Sequence, residues 1–392
     1  MLYERVCSSF RVVYLSGILG LAVATSCFAQ VKEPPLDISM DAVRRAIHEY
    51  GRGQHSVPCS VPSTVSAETP ETYYTQISSL LVQENFSELE AIAQKNREER
   101  CLLADGGWKT NGFFNAVSHA PFYGQLEESY YQSQLARIYR WIVAYPNSAA
   151  ARLTLAHVYV HYAQFIRGDG YANTVSDSQW EGYRARVLLA KETLLAAARL
   201  KERDRYWYEA MQMVAFHDGW NKSDMRELLR QALTFEPDYY HYYRQYADYL
   251  MPQWYGEPGE IQAFAEEVSA RLPEPQSSIL YFRVVSTLAI NIKEEKQELP
   301  RATWSKLDEG YHNLQRLYGK SNLNANRFAF MAYIFNNICA AHDAFNSVAS
   351  MQPEVWYSEQ LFESVRDWAN SPYVSCCCPA QQLPSQKPTV QP

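Results

Sequence analysis

From Pro70 to about Asn370 apolar residues recur at intervals of three and four, and no run alternates apolar with polar residues as a half-buried strand would. A chain patterned this way over most of its length folds as amphipathic helices. A lone helix pair cannot bury its apolar stripe, so successive pairs must lean on one another. The expected fold is therefore all-α: stacked antiparallel helix pairs forming a tetratricopeptide-like α-α superhelix. At 47% hydrophobic and 20% charged residues, the chain has enough apolar material for a large core.

Individual helices have local warrants. Ser87 and Glu90 are spaced as a capping box for a helix burying Leu89, Ile92 and Ala93, with Tyr73 to Leu81 as its partner. Ala149 to Ile166 is apolar on two faces, one carrying Leu153, Ala156, Val160 and Ala163, and so must be sandwiched between neighbours. Val187 to Leu200 carries Val187, Ala190, Leu194 and Ala197 on one stripe. Further helices are predicted at about Ser277 to Ile292, Thr303 to Tyr318, Asn322 to His342 and Ser358 to Trp368.

A repeat emerges in the middle of the chain. Phe216, Met225, Leu229, Ala232 and Pro237 fall at the spacings of a 34-residue helix-turn-helix unit. The next unit has Tyr243, Tyr246, Ala247 and Leu250 on its first helix and Ile261, Ala265 and Val268 on its second, closing at Pro273. An upstream unit begins with Leu155, Ala156 and Tyr159, its second helix displaced by an insertion from about Gly168 to Gly182.

The segment Tyr239-Tyr240 through Leu250, then Pro252, Gln253, Trp254, Tyr255, Gly256 and Ala263-Phe264-Ala265, is a tyrosine-rich helix ending in a Pro/Trp/Gly turn. It resembles a bacterial family designated domain of unknown function 4034, whose members are tetratricopeptide-like. Gly106-Gly107-Trp108-Lys109 with Phe113-Phe114 is also similar to that family's pattern, and together the matches span roughly Pro70 to Arg271. The resemblance implies a helical-repeat fold and carries over no catalytic residue.

The ends of the chain are different. Arg5 and Arg11 precede an apolar stretch from Val12 to Leu21 and small residues up to Ala29, the layout of a signal peptide over residues 1–29. A variant reads Ala24-Thr25-Ser26-Cys27 as a degenerate lipobox with a lipid on Cys27. Either places the protein in the periplasm or outside the cell, with no membrane span after cleavage. Residues 30–69 form an N-terminal segment and linker, with a short helix from Asp41 to Tyr50 and a Pro/Ser/Thr-rich stretch from Val57 to Thr69. Residues 70–370 are the helical-repeat domain, and 371–392 a disordered Cys/Pro/Gln-rich tail. Cys59, Cys101, Cys339, Cys376, Cys377 and Cys378 remain after cleavage and allow fifteen disulfide connectivities.

The net charge of -7, without a long basic run, argues against nucleic acid as a partner. His157 and His161 stand four apart on a helix, but two imidazoles are not a metal site and no glutamate follows the first. No metal and no cofactor is expected. His217-Asp218-Gly219-Trp220 reads as a helix end, with Gly219 as a left-handed cap. Nucleophile elbows and phosphate-cradling loops are absent from the sequence, so no catalytic residue is named.

Three long irregular stretches, Asp105 to Gly124, Gly168 to Gly182 and Pro252 to Gly259, carry aromatic residues that either line a groove or fold back as plugs. Trp108, Tyr242, Tyr243, Tyr246, Trp254 and Tyr255 are the candidate binding residues. The function expected is a non-catalytic scaffold of the cell envelope that presents a tyrosine-lined concave surface to a protein or peptide. The alternative is an envelope hydrolase or small-ligand-binding protein with its site under the aromatic loops. Mass spectrometry of the mature chain should find Gln30 at its N-terminus. A lipid-modified Cys27 would contradict cleavage after Ala29.

Overall fold

Thirteen of the nineteen residues of the helix Ala149–Arg167 are buried, because apolar and small residues occupy all its faces. A helix of that composition needs neighbours on every side, and the structure supplies them. The computed structural model describes residues 38–52, 64–118, 127–168, 170–287, 301–356 and 358–371. Among these, sixteen α-helices account for nearly all regular structure. They are α1 (Met40–Arg52), α2 (Pro70–Val82), α3 (Phe86–Glu98), α4 (Lys109–Ser118), α5 (Glu128–Ala144), α6 (Ala149–Arg167), α7 (Asp177–Ala197) and α8 (Tyr206–His217). There follow α9 (Lys222–Phe235), α10 (His241–Tyr249), α11 (Glu260–Ser269), α12 (Gln276–Val285), α13 (Arg301–Tyr318), α14 (Asn322–Ile334), α15 (Ile338–Phe345) and α16 (Glu359–Ala369). None of these helices is long and apolar enough to cross a membrane.

Consecutive helices pack as pairs, α6 on α7 and α12 on α13 most extensively, giving the stacked, tetratricopeptide-like all-α fold. The central member is α8, which touches α4, α6, α7, α9 and α10 and buries nine of its twelve residues. Its entry is fixed by Asp204, whose Oδ1 accepts the Tyr206 amide at 2.9 Å. Tyr206 stacks on Phe114 of α4 with ring centres 3.9 Å apart, and the Trp207 indole donates to the Leu194 carbonyl of α7.

Several local expectations need correction. The cap of α3 is Asn85, whose side chain accepts the Glu88 amide, while Ser87 donates to that asparagine and Glu90 accepts from the Trp141 indole. The side chain one residue ahead of the helix outcompetes the serine already inside it. A capping box does form, at Ser176 and Gln179, and it starts α7 ten residues before Val187. The stretch after Asp105 is not all irregular, since it contains α4 packed on α2.

The helix expected from Asn322 to His342 breaks into α14 and α15 at Asn336, whose φ of 55° is left-handed. The helix in the N-terminal segment belongs to the core: Tyr50 stacks on Trp207 at 4.2 Å, and Arg44 grips Asp224 of α9 with two nitrogens. A two-residue parallel strand pair, Thr64–Val65 (β1) on Cys101–Leu102 (β2), also forms where none was expected. The signal segment, the linker around Cys59 and the cysteine-rich tail lie outside the described residues.

The pairing of α12 with α13 depends on Gly310, where a Cβ would lie 2.0 Å from the Ser278 carbonyl oxygen. Ala is a good helix former, so any cost of Gly310→Ala comes from forcing these helices apart. The substitution should lower stability by about 1–3 kcal/mol in urea unfolding. An unchanged midpoint would contradict so close an approach.

Candidate functional site

The first helices of successive pairs, α8, α10, α12 and α14, are strongly apolar except for the tyrosine-rich α10, and each carries charge inside its run: Glu209, Arg244, Arg283 and Arg327. Stacking in register brings these positions to one side. Helix α10 packs on both α8 and α12, and His241 and Arg244, three apart, share its inner face. On α14 the same spacing pairs Asn324 with Arg327.

A cavity of about 490 Å³ opens where these faces meet, closed by the start of α2 with Tyr74, the turn around Asp105 to Trp108, and the 350–354 segment. That volume lies in the range of small-molecule sites. The turn is rigidly tied: the Leu103 amide donates to the Gly107 carbonyl at 2.7 Å, the Ala104 amide to the Glu68 carbonyl at 2.9 Å, and Gly106 takes a φ of 76° that favours glycine.

Charge inside this cavity is incompletely paired. Arg327 donates to Glu354 at 3.2 Å, and its buried Nε has no partner among the described residues. Arg283 lies 3.7 Å above the Tyr240 ring and donates to the Gly106 carbonyl at 3.0 Å. Among the described residues the Arg244 side chain hydrogen-bonds only the Thr287 hydroxyl, at 3.4 Å. Among the described residues neither Arg244 nor Arg283 has a carboxylate in ion-pair range, although Asp105, Glu71 and Glu354 also line the space. Burial and the neighbouring Arg244 push the Arg327 guanidinium down to about 10.

His241 is held neutral: burial first, then Arg244, Arg283 and Arg327, drive it well below the ordinary imidazole value. Its Nε2 is buried and without a hydrogen-bond partner among the described residues. Behind it, Glu209 accepts from Asn111 at 2.7 Å and from the Tyr239 hydroxyl at 2.6 Å. Burial raises Glu209 to about 7 and Asp248 to about 6. The arrangement offers a planar or tetrahedral anion several guanidinium donors in a partly enclosed setting, beside Tyr240, Tyr74 and Trp108.

Of the residues singled out from sequence, Trp108 lines this cavity, 3% exposed, with its edge on Tyr239 and Arg205 over its ring. Tyr242 and Tyr246 do not form an open tyrosine face. Tyr242 is fully buried and donates to the Arg205 carbonyl, and Tyr246 packs on Phe264. Tyr255 folds back as a plug, stacked on Tyr249 and donating to the Phe216 carbonyl. Trp254 remains 47% exposed, and Tyr243 lines a smaller neighbouring cavity. Helix α10 is buried on too many sides for its tyrosines to serve as a surface.

The histidines are used in packing. His157 and His161 hydrogen-bond to each other at 2.8 Å, and His157 Nδ1 meets Ser118 and the Tyr206 hydroxyl. His217 faces Tyr183 and Gln164 while Asp218 accepts from Lys191 and Trp220, so the adjacent pair points apart. Gly219 takes a φ of 75° at that helix end. Among the described residues no group of three His, Cys, Asp or Glu side chains is placed to hold a metal ion. The inner arginines were missed from sequence, although a charged residue enclosed by apolar ones, as in Tyr281-Phe282-Arg283-Val284-Val285, was a signal that could have found them. Comparison with protein-family models, curated proteins and solved structures finds no match for the chain.

The raised carboxyl of Glu209 has a consequence for stability. From its ordinary value of 4.5 up to about 7, the folded chain keeps a proton that the unfolded chain has released. The stabilisation is complete below pH 4.5 and is lost as pH rises through 7, a change on the order of 3 kcal/mol. Glu209→Gln cannot ionise, so its stability relative to the unsubstituted chain should rise by about 3 kcal/mol from pH 4.5 to 8 in urea unfolding. A difference that stays constant with pH would mean that Glu209 is charged in the fold.

Proposed function

We propose that this chain is a binding protein of the cell envelope whose ligand places an anionic group, carboxylate or phosphate, among Arg244, Arg283 and Arg327. One observation carries the reading: three guanidinium groups from three successive inner helices meet at a cavity in which Arg244 and Arg283 have no carboxylate partner among the described residues. Holding like charges together while partly desolvated is costly, and a bound anion offsets that cost. The neutral His241 and the aromatic walls add recognition without adding charge.

Export rests on the arginine-apolar-small pattern of the first 29 residues. A protein or peptide scaffold presenting tyrosines from α10 has less support, because Tyr242 and Tyr246 are spent on packing.

The test is thermal unfolding of the full chain with inorganic phosphate or hexanoate, at ionic strength matched with chloride. A saturable rise in Tm is expected, equivalent to about 2.7 kcal/mol at a hundredfold excess over Kd. The Arg244→Gln/Arg327→Gln variant, with helix content checked by circular dichroism, should lose it. An equal rise in that variant, or none in the unsubstituted chain, would sink the proposal.

A further inference from the structure

Arg283 and Tyr240 form a wall with space on both sides. Beyond them lies a second cavity of about 260 Å³ that shares Trp108, Tyr240 and Arg283 with the first. Leu102, Leu272, Ile279, Leu280 and Leu317 supply aliphatic surface beside Asp238 and Gln276, and among the described residues no arginine besides Arg283 lines it. Leu317 is 48% exposed, one of the few large apolar side chains left open to solvent. The partition is lightly held: among the described residues the Arg283 guanidinium has one hydrogen bond, to the Gly106 carbonyl, and the face of Tyr240. Contacts of these two kinds are individually weak, and a ligand tail that displaces them can offset their loss.

We infer that the two chambers form one site for an amphiphilic anion, a carboxylate or phosphate bearing a short aliphatic tail, with its head on Arg244 and Arg327 and its tail passing Arg283 and Tyr240 into the aliphatic chamber. The inference rests on the anion site proposed above and adds the nature of what the anion is attached to. A purely polar anion would leave the aliphatic chamber unused. A purely apolar ligand would leave Arg244 and Arg283 without an anionic partner among the described residues. Trp108, in contact with both spaces, is a built-in reporter of occupancy.

Calorimetric titration of the full chain with acetate, butanoate, hexanoate and octanoate tests this, with octanamide as the uncharged control. Affinity should rise about fourfold per added methylene until the aliphatic chamber is full. Octanamide should bind at least tenfold more weakly than octanoate. Ile279→Trp fills the chamber and should flatten the series while leaving acetate unchanged. Leu317→Asp, at an exposed position that does not endanger the core, should weaken octanoate tenfold or more and leave acetate unaffected. Equal affinity for all four acids, or octanoate binding untouched in both variants, would overturn the tail chamber and leave the anion site standing. Failure of every acid and of inorganic phosphate to bind would overturn the anion site, and this inference with it.

Discussion

The buried guanidinium of Arg205 is the interaction on which the arrangement of the inner helices depends. It is 3% exposed and donates to the Asn96 and Arg97 carbonyls at the end of α3 and to Thr110 at the start of α4. Its Nε lies 3.6 Å from Glu236, which also takes Arg100. A cation at the carbonyl end of a helix is favoured by the helix dipole, and shared carboxylate and hydroxyl partners offset its desolvation. One side chain thereby ties three segments far apart in sequence to the first residues of α8. Asp204 beside it accepts the Tyr206 amide, and its backbone both donates to and accepts from the Tyr50 hydroxyl, so α1 is drawn into the same junction.

With α8 held there, the rest follows by stacking. Helix α10 lies against α8 and α12 against α10, so one face of each first helix turns to the same interior side. An apolar residue at Arg244, Arg283 or Arg327 would pack at lower cost than a half-desolvated guanidinium. Three such positions in succession meet at a single cavity, and on that convergence the proposed anion site rests. The fold supplies the register, and the charges supply the chemistry.

Much of this architecture is legible in the residues. Apolar spacing locates α6, α13 and α16 closely, because those helices are periodic and capped by serine or followed by glycine. Harder to see was whatever depends on distant partners. The Tyr50 helix looks like part of a linker until Trp207 is placed against it, and Asn336 breaks a pattern whose apolar periodicity continues through the break. Tyrosines on α10 look like a surface because their hydroxyls are polar, yet backbone carbonyls such as that of Arg205 satisfy those hydroxyls inside the core. The cavity itself required four helices at once, and no local rule places Arg244 beside Arg327.

The central claim is that these arginines form an anion site already built into the chain. The most direct test is anomalous diffraction from crystals of the full chain soaked in sodium bromide, collected at the bromine edge. The account predicts the strongest anomalous peak within hydrogen-bond reach of Arg244, Arg283 or Arg327. A cavity without bromide, its guanidinium groups each closed by a carboxylate from the chain's own segments, would contradict it.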